Sequence, residues 1–183
     1  MKKFLALGVS AVALAAGATP AYAAIEGGRV EAVVGYDNVS FDLGGGVDAD
    51  ASGILYGIGA GYDFAVGEKV ALGVDVEATE STADFEAGTD RVAAGRDLYA
   101  GVRLTTALSE KTNLYFKAGY TNARLKVETA TLTDAANGDG IRGGVGLQFL
   151  VGKSMYIGGE YRYSNYEADF TRHQGVATLG FRF

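Results

Sequence analysis

The chain has no cysteine, no tryptophan, one histidine and a single proline, Pro20. Without cysteine there is no disulfide framework and no thiolate metal site, so an exported chain must take its stability from a core, a membrane or a closed hydrogen-bonded sheet. With no proline after position 20, every later backbone N–H can enter a strand ladder, which suits a sheet in which each must pair. Long apolar runs are also missing beyond Ala18. Glycines and charges break each candidate before the roughly 20 residues that a transmembrane helix needs, which excludes a spanning helix. Basic excess is missing too: the formal net charge is −6, and −8 once Lys2 and Lys3 are discounted, which argues against a nucleic-acid partner.

What is present lies first at the two ends. Lys2 and Lys3 precede an apolar run from Phe4 to Ala18, and Ala21-Tyr22-Ala23 offers a small-x-small cleavage site before Ala24. This is the pattern of a cleavable secretory signal peptide over residues 1–23. Residues 24–183 then leave room for one domain. At the other end, Leu179-Gly180-Phe181-Arg182-Phe183 alternates and finishes on an aromatic, as the closing strand of a lipid-facing barrel does.

Between the ends the chain resolves into eight segments of period two. The first, Arg29 to Asp37, sets Val30, Ala32, Val34 and Tyr36 against Arg29, Glu31, Val33, Gly35 and Asp37. The second sets Ile54 to Phe64 against glycines and Asp63, the third Val70 to Val76 against Asp75 and Glu77, and the fourth Leu98 to Leu104 against Asp97, Tyr99 and Arg103. The remaining four carry Lys117, Arg142, Glu160 with Arg162, and Arg182 on their polar faces. The expected fold is all-β: an eight-stranded, antiparallel, up-and-down transmembrane β-barrel over residues 24–183. A soluble barrel would also alternate, with the charged face as its solvated exterior; the signal, the loop lengths and Phe183 decide against it.

Short turns at 65–68, 109–112 and 152–154 alternate with long connections at 40–52, 79–95, 128–140 and 165–173. Bacterial barrels keep short turns in the periplasm, so the long loops are expected outside and both termini inside. The long loops carry formal charges of −3, −3, −3 and −1, leaving +2 for the rest of the chain after residue 23. Arg91 and Arg172 are the expected exposed basic sites in these loops.

An eight-stranded barrel is just wide enough to be filled by side chains, so the inward charges must satisfy one another. The expected interior network is Arg29, Glu31, Asp75, Glu77, Arg103, Lys117, Arg142, Glu160, Arg162 and Arg182, with Asp97 on the same face. Inward glycines, among them Gly101 and Gly146, leave room for Tyr99, Tyr115 and Tyr156. Tyr36, Tyr120 and Tyr163 form the outer girdle and Phe64, Phe149, Phe181 and Phe183 the inner one. No catalytic residues, cofactor or metal are expected. His173 has no serine two positions on and reads as a solvated loop residue; Asp48 with Asp50, or Asp84 with Glu86, read as solvated acids rather than as cation ligands shared with lipopolysaccharide phosphates.

In strand number, loop asymmetry and the Leu179/Phe181/Phe183 ending, the sequence resembles the small outer-membrane β-barrel proteins related to the transmembrane domain of outer-membrane protein A, outer-membrane protein X and the opacity-type surface antigens. The resemblance covers about Ile25 to Phe183 without the family's separate peptidoglycan-binding domain. It implies a cell outer-membrane location and a non-enzymatic role in envelope integrity, adhesion or surface recognition. A small porin-like channel is the first alternative and an outer-membrane lipid-modifying enzyme the second. It further implies that Leu179, Phe181 and Phe183 are the signal for the barrel-assembly machinery. The implied partners are outer-membrane lipid and lipopolysaccharide, and host, phage or surface ligands at the loops, with the barrel itself a monomer.

Overall fold

The computed structural model describes residues 25–42, 48–87, 90–128, 133–167 and 170–183; the signal peptide assigned to residues 1–23 lies outside them. Nine strands follow in chain order: β1 (Gly27–Asp42), β2 (Asp48–Ala65), β3 (Val70–Ser81), β4 (Asp84–Ala87), β5 (Asp90–Ala107), β6 (Thr112–Glu128), β7 (Thr133–Leu150), β8 (Met155–Tyr166) and β9 (Phe170–Arg182). All pairings are antiparallel, each strand lies beside its sequence neighbour, and β1 pairs with β9 to close the ring. The ninth strand does not add a stave. β3 pairs with the lower part of β5 and β4 with its upper part, so β3 and β4 form one stave interrupted at Thr82 and Ala83. The barrel therefore has eight staves.

Its tilt can be read from the register. Gly27 pairs with Asp63, Asp63 with Gly73, Gly73 with Arg103, Arg103 with Lys117, Lys117 with Gly144, Gly144 with Arg162, Arg162 with Gln174 and Gln174 with Asp37. One circuit thus returns to β1 ten residues beyond its start. With eight strands about 4.8 Å apart and a rise of about 3.3 Å per residue, that stagger sets a tilt of about 40° and a radius of about 8 Å. Such a bore admits side chains and little else.

Alternation decides what fills it. β3 and β9 are buried at every second residue, and the intervening side chains face outward. The outward set is apolar: Val30, Val34, Ile58, Val74, Val76, Leu104, Phe116, Leu147, Ile157 and Leu179 are all exposed, and Ile141 is 72% exposed. In water this would be an aggregation surface; in a bilayer it is the stabilising one.

The strands run well past the segments expected from hydrophobic alternation. β1 extends to Asp42, β7 begins at Thr133 and β9 at Phe170, so the long connections shrink to hairpins whose ladders continue above the apolar band. Alternation fades there because both faces of a strand outside lipid can be polar or small, while backbone pairing continues regardless. One expectation fails as a result: Arg172 is a buried, inward residue of β9 and not an exposed loop cation.

Candidate functional site

Fourteen ionised side chains are buried among the described residues, seven acidic and seven basic, and they divide into two clusters inside the barrel. The first lies near the short turns. Arg29 contacts Asp63 at 2.6 Å and also Asp75 and Glu31; Arg103 contacts Asp75 at 2.7 Å and Glu31 at 3.4 Å; Arg182 contacts Asp63 at 2.9 Å. Three guanidiniums meet three carboxylates. Tyr156 donates to Glu31 at 2.7 Å, with Arg182 over its ring.

The second cluster continues towards the long hairpins. Arg162 bridges Glu77 and Glu160, each at 2.5 Å, and Lys117 holds the same two acids at 3.5 and 2.8 Å. Arg142 spans Glu77 and Asp97, and Arg172 joins Asp97 at 3.0 Å to Asp37. Four cations meet four anions. No ion pair joins the clusters among the described residues; Tyr115 stands between them, donating to Glu160 at 2.6 Å beneath Arg103, 4.2 Å from its ring centre. The ring has room because its cross-strand partner is Gly146, and Tyr156 likewise faces Gly180; a Cβ at either glycine would collide with the ring.

The structure brings together all ten residues of the expected interior set, with Asp97, and adds Asp37, Asp63 and Arg172. Parity was the available signal for these three: Asp37 shares a face with Arg29, Asp63 with Gly61, and Arg172 stands an even number of residues before Arg182. Above the charges the lumen closes on an apolar cap of Val39, Ala51, Ala83, Ala94, Ala123 and Phe170. Tyr166 joins the two layers, its ring stacked on Phe170 at 4.2 Å and its hydroxyl donating to Asp97 at 2.8 Å. Isolated in low dielectric, each of these charges would be costly; matched in number and paired with one another, the clusters give the bore a polar core.

Outside, Tyr36, Tyr120 and Tyr163 are exposed at the hairpin end of the apolar band, and Phe64, Phe149, Phe181 and Phe183 at the turn end. A belt of side-chain hydrogen bonds lies just above the tyrosines: Tyr36 to Ser52 at 2.7 Å, Arg96 to Asn122 at 3.0 Å, and Tyr120 and Asn122 to Asp139 at 2.5 and 2.6 Å. These two donors hold the Asp139 carboxyl below its ordinary range. His173 belongs to this belt and not to a loop: it faces outward from β9, beside Tyr163, and pairs through Nδ1 with the Tyr161 hydroxyl at 2.6 Å. Its polar partner is thus a phenol. No group of three or more His, Cys, Asp or Glu is placed to hold a metal among those residues. On the lipid-facing surface a groove of about 1130 Å³ runs across β1, β2, β3, β5, β6, β8 and β9, past Ala32, Ala60, Ala78 and Ala100, with Tyr120, Asn122 and Phe181 also in its lining.

No curated protein sequence matches the chain. Its fold is shared with Neisserial surface protein A, over 85% of this chain and 97% of that one (TM-score 0.66, 16% identity). It is shared also with the attachment invasion locus protein Ail of Yersinia pestis, over 86% and 99% (TM-score 0.60, 16% identity), and with OprG of Pseudomonas aeruginosa, over 88% and 99% (TM-score 0.54, 11% identity). The fold is common ground with these proteins, and the sequence match over residues 9–183 makes the chain a member of the outer membrane protein beta-barrel domain family.

Proposed function

We propose that the protein is a non-enzymatic scaffold of the outer membrane whose barrel is a closed anchor and whose acidic hairpins are its working surface. The observation that carries this reading is the lumen, where matched buried charges and apolar side chains fill a bore just wide enough for side chains and so leave little free section for a solute. The hairpin end faces the cell exterior and both termini the periplasm, following the usual asymmetry of such barrels. A signal peptide over residues 1–23 exports the chain, Leu179, Phe181 and Phe183 present it to the assembly machinery, and it works as a monomer. Ail, named for attachment and invasion, has been crystallised with a heparin analogue, a polyanion. The hairpins here carry acids, among them Asp50, Asp84 and Glu167, and suit a cationic partner on a host, phage or neighbouring cell surface.

Conductance tests the anchor. In planar bilayers the purified barrel is expected to give no discrete current steps; reproducible steps would establish the porin-like alternative. Trypsin tests the orientation. Applied to intact cells, it is expected to cut at Arg91, in the β4–β5 hairpin, if anywhere, and to spare Arg172, which is buried and paired with Asp37. Lys69, Lys111 and Lys153, exposed in the short turns, become cleavable only after the outer membrane is opened. Cleavage at Lys111 in sealed cells would invert the topology.

A further inference from the structure

Above the apolar band the wall of the barrel parts along one line. β3 follows β2 as far as Ser81, the partner of Leu55, and Thr82 adds a last backbone bond to the Ile54 carbonyl at 2.9 Å. Hydroxyls then end the ladder. Thr82 Oγ1 accepts from the Ile54 N–H at 2.9 Å, and Ser81 Oγ accepts from the Ala83 N–H at 3.2 Å while donating to Asp37 at 2.6 Å. From Ala83 the chain follows β5 instead: the Ala83 carbonyl accepts from Ala94, and β4 pairs with β5 alone. Gly53 permits the crossing, because a Cβ there would collide with the Ala83 backbone. Next to Ala94 the β5–β6 ladder shifts register across Gly95 and Arg96, a bulge that bends β5 and sets the β4–β5 hairpin on its own course.

β2 itself continues above the break, paired with β1 as far as Asp48 opposite Asp42. Successive residues of a strand turn their N–H and C=O groups to opposite sides, and Ile54 turns its two towards β3. Ser52, Asp50 and Asp48 therefore present theirs on that same side, where no strand pairs with them among the described residues. The result is an open ladder edge about 14 Å long, beginning at the Tyr36–Ser52 hydrogen bond and standing above the lipid. Its charge is one-sided. No Lys or Arg occurs between Arg29 and Lys69, and Asp42 opposite Asp48 is a like-charge pair in register, an arrangement that repels. Asp50 stands opposite Ser40, whose hydroxyl donates to it at 2.6 Å, and Glu80 is exposed opposite Tyr56 below the break. Across the break the acids have bases in register: Asp84 lies across Ala93 from Lys126, and Glu86 lies opposite Arg91.

An open ladder edge takes up an extended peptide through the same bonds that join the strands of a sheet. A second copy of this chain would set acids against acids, which is how charged edges are kept from pairing with themselves. The same acids complement a basic strand. We propose that the β2 edge from Ser52 to Asp48 is the docking site for an extended, basic segment of a partner protein. The segment joins the sheet antiparallel to β2, with alternate lysines or arginines in register with Asp48 and Asp50. This rests on the reading of the acidic hairpins as the working surface and gives that surface one place and one mode of binding.

The test uses a fluorescently labelled ten-residue peptide of alternating Lys and Thr, titrated by anisotropy with the full-length barrel in uncharged detergent micelles. Binding is expected to slow hydrogen exchange at the Ser52 and Asp50 amides. In antiparallel addition the lysine N–H groups face β2, so N-methylating the lysine amides should weaken binding by at least about 10-fold, the worth of one or two backbone hydrogen bonds. N-methylating the threonine amides, at the same charge, should leave it unchanged. Both comparisons use the unaltered barrel. Ser52→Pro removes an edge N–H that β1 does not use and is expected to weaken the parent peptide to a similar extent. Asp48→Asn with Asp50→Asn should cost about 10-fold, at roughly threefold per exposed ion pair. Equal affinity of the two methylated peptides would overturn strand addition while leaving the acidic surface standing; unchanged affinity in both barrel variants would overturn the β2 edge as its place. No binding of the parent peptide would overturn the acidic surface as well.

Discussion

Replacing Glu77 by Gln should lower the unfolding free energy of the refolded barrel by about 3–5 kcal/mol, the range observed when one partner of a buried ion pair is removed. Glu77 pairs with more cations than any other acid of the larger cluster, facing Arg162 at 2.5 Å, Lys117 at 3.5 Å and Arg142 at 3.7 Å. Its loss leaves four cations against three anions in a bore where water cannot compensate. The control is on the same stave. Glu80 stands three residues further along β3 and is exposed, so Glu80→Gln should shift stability by no more than about 0.5 kcal/mol. Urea titrations in detergent micelles, followed by tyrosine fluorescence, distinguish the two; equal shifts would mean that the lumen is solvated and its charges independent.

Phe183→Ala should separate folding from assembly. The ring is outward and 41% exposed, so truncating it removes only part of the apolar contact a fully buried ring would make, about 1 kcal/mol. The backbone of Phe183 does more, since its N–H and C=O both pair with Gly28 at 2.9 Å and close the seam between β9 and β1. A substitution preserves that seam, whereas deletion of the residue would break it. Refolding in detergent is therefore expected to be near the parent's, while the amount inserted in cells falls sharply and unassembled chain accumulates in the periplasm. Normal insertion in cells would show that the C-terminal aromatic is a girdle residue only, with no part in recognition.

The stave count and the in-or-out parity of the spanning segments were legible because lipid outside and polar packing inside impose opposite demands on successive residues. Val30 against Glu31, or Leu104 against Arg103, states this directly. Parity was harder to follow where hydrophobicity stopped reporting it. Arg172 lies among polar residues at the top of β9, and only its even spacing from Arg182 marks it as inward. The break at Thr82 and Ala83 and the bulge at Gly95 and Arg96 left no hydrophobic trace, because they lie where the outer wall leaves the apolar band. The apolar cap was missed for a related reason: Ala51, Ala83, Ala94 and Ala123 are too small to register as core until the tilted wall brings them together around Phe170. Which acid meets which base depends on the ten-residue stagger, a property of the closed ring that no single segment contains.

That the buried charges fall into two separately neutral groups constrains how the sequence can drift. Reversing one sign changes its own group by two charges, and a compensating reversal in the other group lies beyond contact. A viable substitution at Arg29 must therefore travel with Asp63 or Asp75, and one at Arg172 with Asp37 or Asp97; Arg29 with Asp37 restores the total and repairs neither group. Among related chains these positions should covary as two closed vocabularies, three letters against three and four against four, with Tyr115 the one word that both must share.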